Sequence, residues 1–374
     1  MNGSIRVGNL FGIPFYVNPS WFFVLALVTW SYSSGLAAQF PGLSAGVPLL
    51  LGLMTALLLF ASVLAHELGH SAVALRQGIG VKSITLFLFG GLANLEKESE
   101  TPAAAFWVAI AGPLVSLVLA GLMMLIGVGT AVSGPIAAVL GVLASVNLAL
   151  AFFNLIPGLP LDGGNILKAI VWKITGNPYR GVQFAGRVGQ AFGWVAIGSG
   201  VLPLLLFGSS VNFWNILVGW FLLQNAGQAA QFATVQEQLV GLTAADAVAL
   251  NSPIVSAHTS LREFADQLIL SPNQWRKFLV TNEANELLGE IAVDALTSVP
   301  TDRWSLVQVS ELMQPIEASR TVTAQQPLLE VIKYLEEKHL SSLTVIQSNN
   351  SLVGLLEKSA VIRLLQRRTQ AVPA

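Results

Sequence analysis

The sequence predicts a polytopic α-helical membrane domain of six spans, followed by a soluble α/β domain. Only 10% of its 374 residues are charged and 53% are hydrophobic, whereas a soluble protein carries about 25% charged residues. Residues 7–65 and 101–161 contain no Asp, Glu, Lys, Arg or His. Eleven of the nineteen Lys and Arg residues follow residue 260. We therefore place the boundary near Gln231–Leu242, with domains over 1–235 and 240–374.

Six apolar segments approach the roughly 20 residues that a helix needs to cross a bilayer. Arg6 before the first segment is typical of a secretory signal, but the apolar run begins late and further spans follow, so we expect a retained anchor. The predicted spans are Pro19–Ala37, Val47–Arg76, Ala103–Val128, Pro135–Leu155, Gly186–Phe207 and Val211–Phe232.

Positive charge predicts the orientation of these spans. With the amino terminus inside, all eight Lys and Arg residues before residue 238 lie on the cytoplasmic side, and the opposite loops contain none. Both termini are therefore predicted to be cytoplasmic. The eight are Arg6, Arg76, Lys82, Lys97, Lys168, Lys173, Arg180 and Arg187.

The segment between Gly80 and Asn94 is rich in β-branched and aromatic residues and contains the pair Gly90-Gly91. This composition favours an extended hairpin or re-entrant segment, and an interfacial loop is the equal alternative. The tail contains a weak repeat of about 65 residues, each copy reading helix, strand, turn, strand, helix. It predicts two copies of one small module, over about 240–305 and 306–370.

The strongest chemical signal is His66-Glu67-Leu68-Gly69-His70. Residues four apart lie on one helix face, so His66 and His70 can bind one metal while Glu67 lies close by. Coincidence is a poor explanation here, because three polar side chains cannot be solvated in lipid. The pattern is typical of a zinc site whose glutamate is the general base.

A catalytic zinc needs a third protein ligand and an open position for water. The candidate is Asp162, in Asn154-Leu155-Ile156-Pro157-Gly158-Leu159-Pro160-Leu161-Asp162-Gly163-Gly164. We expect Pro157 and Pro160 to unwind the end of the fourth span, so that this carboxylate turns inward instead of following a helix. The alternative is an aspartate that caps a helix in a Pro/Gly turn.

Other features narrow the chemistry. The chain has no cysteine, which excludes disulfides and thiolate metal sites. A net charge of −1 and the absence of a basic patch give no support for a nucleic-acid partner. We assign Gly112, Gly121 and Gly127 to helix packing.

The two motifs resemble those of the site-2 protease family of intramembrane zinc metalloproteases, and Ala111-Gly112-Pro113-Leu114 is an accessory match. The resemblance spans residues 61–232. It implies that His66, His70 and Asp162 bind one zinc ion per subunit and that Glu67 activates the bound water. It also implies that Asn154 positions substrate or stabilises the oxyanion, and that the Gly90-Gly91 segment is a membrane-inserted sheet that pairs with unwound substrate.

The resemblance further implies an integral membrane endopeptidase that contacts lipid and cuts a single-span membrane protein within its transmembrane segment. Such enzymes release a regulator, for example an anti-sigma factor or a membrane-tethered transcription factor.

The tail resembles a tandem pair of cystathionine-β-synthase (CBS) domains, which implies a regulatory adenine-nucleotide site. This sequence departs from the family's ribose-binding pattern. The corresponding positions read Gly289…Ala292…Ala295 in the first copy and Gly354…Glu357…Ala360 in the second, so both copies lack the hydroxyl and the aspartate of that pattern. A structural role or formation of a homodimer is therefore an equal alternative.

A metal transporter or metal sensor with a CBS gate is the alternative function, since such tails also occur on ion transporters. Glu67 discriminates between the two, because a transit site needs no general base.

Overall fold

The structure is a computed structural model that describes residues 3–87, 90–249, 251–270 and 275–371. The helices are α1 Ser20–Gln39, α2 Val47–Arg76, α3 Pro102–Gly129, α4 Gly134–Asn154, α5 Asp162–Thr175, α6 Pro178–Phe207, α7 Phe213–Leu239, α8 Leu261–Leu270, α9 Val309–Leu312, α10 Leu328–Glu337 and α11 Lys358–Ala371. The strands are β1 Ile5–Leu10, β2 Ile13–Val17, β3 Val81–Phe87, β4 Gly90–Leu95, β5 Ile254–Ser256, β6 Lys277–Thr281, β7 Leu287–Ala292, β8 Thr321–Thr323, β9 Ser342–Ile346 and β10 Leu352–Glu357.

Five helices among the described residues are long and apolar enough to cross a membrane, namely α1, α2, α3, α4 and α6. The sixth predicted span coincides with α7, which falls outside that set because Asn and Gln side chains interrupt its apolar sequence. The count of six spans is therefore not confirmed. Helix α6 also begins at Pro178, eight residues before the predicted start.

Local signals explain where the central helices begin. Thr101 caps α3 by accepting a hydrogen bond from the Ala104 backbone N–H at 3.2 Å. Asn177 caps α6 in the same way, and Pro residues occupy the first turn of both helices. Gly176 ends α5 in the left-handed conformation that glycine adopts without strain.

A four-stranded sheet of order β1-β2-β3-β4 lies beside the helices. The predicted hairpin is present as the antiparallel pair β3–β4, although its turn residues 88–89 lie outside the described residues. The sequence reading missed β1 and β2, whose strand β2 pairs in parallel with β3. The order of the strands leaves β4 at one edge, where it packs on α2.

The chain divides into two compact units between Thr234 and Val235. The second unit contains the predicted repeat as two three-stranded sheets, β5-β6-β7 and β10-β9-β8, each with its own apolar core. Their hairpin turns pair with each other, because the Leu287 N–H donates to Asn350 and the Leu352 N–H donates to Asn285. The first copy differs from prediction at its end, where 3-10 turns over Val293–Ser298 replace a helix.

Candidate metal centre

His66 and His70 lie one turn apart on α2, and both are buried. Their Nε2 atoms are 3.3 Å apart. From Arg76 at the end of the helix, His66 is ten residues away, which corresponds to about 15 Å. The pair therefore lies well inside the apolar part of the first unit.

Asp162 reaches this pair from a separate part of the chain. Its Oδ2 lies 3.1 Å from Nε2 of His66 and 3.3 Å from Nε2 of His70. The expectation about its backbone was wrong in one respect, because Asp162 is the first residue of helix α5 and not part of an unwound segment. The capping alternative also fails, since the N-cap residue is Leu161 and no side chain caps the helix.

Glycines allow the loop before Asp162 to fold back on itself and on α6. A β-carbon on Gly158 would lie 2.6 Å from the Gly189 α-carbon, and one on Gly189 would overlap the backbone of Leu159. Likewise, β-carbons on Gly163 and Gly164 would overlap the loop backbone. The close contacts fix where α5 begins, and thereby where its first carboxylate points.

The three side chains fit a zinc ion. Their ligand atoms lie within 4.8 Å of one another, and the three separations are 3.1–3.3 Å. Zinc bonds of about 2.0–2.1 Å at tetrahedral angles place ligand atoms about 3.3–3.4 Å apart. Two imidazole nitrogens and one carboxylate oxygen are also a donor set that catalytic zinc uses. His66, His70 and Asp162 are therefore able to hold the ion together.

Gly112 of α3 faces the two imidazoles directly. A β-carbon at this position would lie 2.6 Å from Nε2 of His66 and closer still to Nε2 of His70. The assignment of Gly112 to helix packing therefore misses its main contact. By contrast, β-carbons on Gly121 and Gly127 would meet nothing within 4 Å.

Both imidazoles are also held from their far side by α3. Nδ1 of His66 lies 2.9 Å from Oγ of Ser116, which is fully buried. Nδ1 of His70 lies 2.7 Å from the carbonyl oxygen of Val108. Neither partner was predicted from the sequence. The only signal for Ser116 was a hydroxyl in an apolar helix, three residues after Pro113.

Glu67 lies between the metal ligands and the edge strand β4. Helix α2, which carries Glu67, packs against β4. A β-carbon on Gly91 would lie 2.9 Å from Cδ of Glu67 and even closer to Cγ. The glycine thus lets the strand backbone contact the side chain that the motif assigns as general base.

Asn154 is the last residue of α4 and is half-buried. Within the described residues its side chain makes no hydrogen bond. It stands eight residues before Asp162, at the start of the same loop. Its role in substrate positioning stays a prediction.

Comparison with known proteins finds relatives of this chain. The profile of Peptidase family M50 matches residues 54–134 and 128–196, and that of the CBS domain matches residues 309–367. A protein of Synechocystis sp. named as zinc metalloprotease sll0528 is 57% identical over 98% of this chain and 96% of its own length. The protein of Mycobacterium tuberculosis named as zinc metalloprotease Rip3 is 32% identical over 100% of this chain and 95% of its own.

Among solved structures, the site-2 protease from Methanocaldococcus jannaschii is 28% identical, with a TM-score of 0.42, and covers 61% of this chain and 95% of its own. The full-length relatives, the matched profiles and the two motifs agree on one family. The chain belongs to the M50 family of site-2 proteases, and is an integral membrane metalloprotease with a C-terminal CBS region.

Proposed function

We propose that this chain is a zinc endopeptidase that cuts a membrane-anchored protein within its transmembrane segment. His66, His70 and Asp162 would hold one zinc ion per subunit, with Glu67 as the general base. The observation that carries the proposal is the convergence of three ligand atoms from α2 and α5 at separations of 3.1–3.3 Å inside an apolar helical unit. Metal-ligating groups in such surroundings are costly and mark function.

A bound zinc ion lowers the pKa of its water to about 7 and polarises the scissile carbonyl. Glu67 is adjacent in sequence to His66 and interacts electrostatically with both histidines and with Asp162. Its carboxylate takes the proton from the attacking water and then delivers it to the leaving nitrogen. Asn154 would position the substrate carbonyl from the start of the loop that carries Asp162.

The edge strand supports a way of presenting substrate. A helical segment sequesters its amides, so the scissile region must unwind before attack. An extended segment can then add to the free edge of β4 through main-chain hydrogen bonds. Gly91 of this strand already contacts Glu67, so a segment paired here would lie beside the catalytic groups. Substrates with Gly or Pro in their transmembrane segments would unwind most readily.

For topology, we propose that the five apolar helices and α7 cross the membrane, over a protease domain of residues 1–235. Both termini, and a tandem CBS domain of residues 240–374, would then be cytoplasmic. The distribution of Lys and Arg supports this orientation. Helix α5 would lie on the cytoplasmic side, since α4 ends and α6 begins there. Lys168 of α5 pairs with Glu98 at 3.3 Å, which supports a common side for both segments.

Co-expression with single-span reporter proteins tests the function. The wild-type chain should shorten a reporter that has a Gly- or Pro-containing span. Glu67→Gln should leave it intact and capture it, while zinc content stays at the wild-type value. Glu98→Gln removes a carboxylate remote from the metal ligands in sequence and serves as the matched control, with cleavage expected. Equal cleavage by wild type and Glu67→Gln would contradict the proposal.

Metal transport is the competing function. The contact of Glu67 with the edge strand favours proteolysis, because a transit site has no use for a carboxylate held against a strand edge. Zinc uptake into vesicles containing the Glu67→Gln variant separates the two. Uptake that persists in this variant, without cleavage by the wild type, would favour transport.

For the tandem CBS unit, we propose a regulatory role that does not depend on binding the ribose of a nucleotide. This unit has an open pocket of about 490 Å³, whose lining includes Trp275, Ala360, Arg363 and Arg367 together with the acidic residues Asp246 and Glu357. The two arginines are one turn apart and suit phosphate groups, whereas Ala360 offers nothing to a ribose diol. Titration of the full chain should give similar shifts in Tm with ATP and with pyrophosphate. A shift specific to adenosine compounds would contradict this reading.

A further inference from the structure

Two contacts from α3 meet the histidines on the side away from the ligand atoms. Ser116 Oγ lies 2.9 Å from Nδ1 of His66, and the Val108 carbonyl lies 2.7 Å from Nδ1 of His70. Ser116 is fully buried and lies 50 residues from His66 in sequence. Its hydroxyl is thus placed by the packing of α2 against α3 and not by a local turn.

The Val108 contact fixes one tautomer by elimination. A carbonyl oxygen can only accept, so Nδ1 of His70 must carry a proton, and in the neutral ring Nε2 then keeps its lone pair. Val108 belongs to the turn of α3 that directly precedes Pro113. Gly112 in the same turn leaves room for both Nε2 atoms.

The Ser116 contact does not fix the other tautomer by itself, since a hydroxyl both donates and accepts. The contacts of the other ring nitrogen, Nε2, determine the tautomer. Nε2 of His66 lies 3.1 Å from Asp162 and 3.3 Å from Nε2 of His70. Both of these groups are metal ligands in the proposed site, so Nε2 must be unprotonated there. Nδ1 of His66 then carries the proton and donates a hydrogen bond to Ser116 Oγ.

We propose that Ser116 is a positioning residue for the metal site: its hydroxyl oxygen accepts a hydrogen bond from His66 Nδ1–H, which holds the tautomer and the ring plane that direct Nε2 to the ion. This inference rests on the proposed zinc site. Partners that orient a ligating histidine in this way contribute about 10- to 100-fold to metal affinity. Ser116 is predicted to act on zinc binding first and on cleavage only as a consequence.

The test measures zinc affinity and stability separately in the full-length protein in detergent. Zinc dissociation is followed by competition with a graded chelator, and Tm is measured with the metal removed. Ser116→Ala should weaken zinc binding about 10- to 100-fold, while the Tm of the metal-free protein stays near the wild-type value. A residue that only fills space would instead lower the metal-free Tm.

Two further variants make the comparison specific. Ser62→Ala is the matched control: Ser62 is a buried serine on α2 whose hydroxyl donates to its own helix, at the Leu59 carbonyl, 2.8 Å away. It should bind zinc like the wild type. Ser116→Thr keeps the hydroxyl and should bind zinc within about threefold of wild type, well above Ser116→Ala.

Each outcome decides between the proposals. Zinc affinity of Ser116→Ala within threefold of wild type would overturn the inference, as would equal weakening in the Thr and Ala variants or in Ser62→Ala. If Ser116→Ala does not fold, the Thr variant still tests the hydroxyl, and weakening there by tenfold or more overturns the inference. A wild-type protein that binds no zinc would instead refute the metal site itself.

Discussion

A β-carbon on Gly112 would lie 2.6 Å from Nε2 of His66. Gly112 thus bounds the space in which the two imidazoles approach the carboxylate of Asp162. Helix α3 contributes Gly112 to this boundary, and its residues Val108 and Ser116 contact the Nδ1 atoms of the two rings. The accessory motif around Gly112 is therefore part of the proposed metal site, although it contributes no ligand.

Gly112→Ala should abolish zinc binding, because the added methyl group occupies the space between the Nε2 atoms. Zinc content after purification checks this expectation. Gly121→Ala on the same helix is the control, since a β-carbon there meets nothing within 4 Å. That change should leave zinc content unaltered and gain about 1 kcal/mol of helix propensity. Full zinc content in Gly112→Ala would show that the rings are free to move apart.

Gly91→Ala should reduce cleavage strongly while zinc remains bound. The β-carbon would overlap Glu67, so either the base or the edge strand must move, and a misplacement of about 1 Å can cost about 100-fold in rate. Reporter cleavage and zinc content measured together provide the check. Leu92→Ala, at an exposed position on the same strand, should retain both. Normal cleavage by Gly91→Ala would argue against the contact between β4 and the base.

Asp162→Ala should lose zinc without unfolding the first unit. Within the described part of the chain, its carboxylate bonds only to His66 and His70, while the loop glycines and not the carboxylate fix the start of α5. Zinc affinity and the Tm of the metal-free protein distinguish the two effects. A large fall in metal-free Tm would mean that the carboxylate has a structural role apart from the ion.

Asp246 should make the stability of residues 235–374 depend on pH. The N–H and hydroxyl of Thr243 donate to its carboxylate at 2.8 and 2.9 Å, and they hold the pKa of that carboxyl below its usual value. The stabilisation is present above the unfolded pKa of about 3.9 and is lost as pH falls through the folded pKa. The group is largely exposed, so the effect should be at the low end of about 0.5–1 kcal/mol.

Asp246→Asn should therefore lower the urea midpoint of this unit at pH 7, and the difference from wild type should shrink as pH falls below about 3.9 toward the folded pKa. Urea unfolding followed by circular dichroism across this pH range checks this. A difference of equal size across the whole range would assign the effect to the substitution itself and not to the charge.

Much of the fold was predictable because membrane spans and repeats are local properties of the sequence. Helix α2 has the bounds predicted for it, Val47–Arg76, because a long, mostly apolar run begins at Val47 and ends at Arg76. The sheet was predicted only in part. Strands β1 and β2 form a short antiparallel hairpin across Phe11-Gly12 that was not predicted. The parallel pairing of β2 with β3 spans 63 intervening residues and leaves no local pattern.

The sequence by itself determined the chemistry: His66 and His70 share a helix face because of their spacing, and Glu67 is fixed beside them. Only the tertiary structure decided the position of Asp162, the boundary at Gly112, the far-side partners Ser116 and Val108, and the contact of Gly91 with Glu67. The physical reason is that helical periodicity relates only residues that are close in sequence, such as those three or four positions apart. Contacts between helices depend instead on where glycines let two backbones approach.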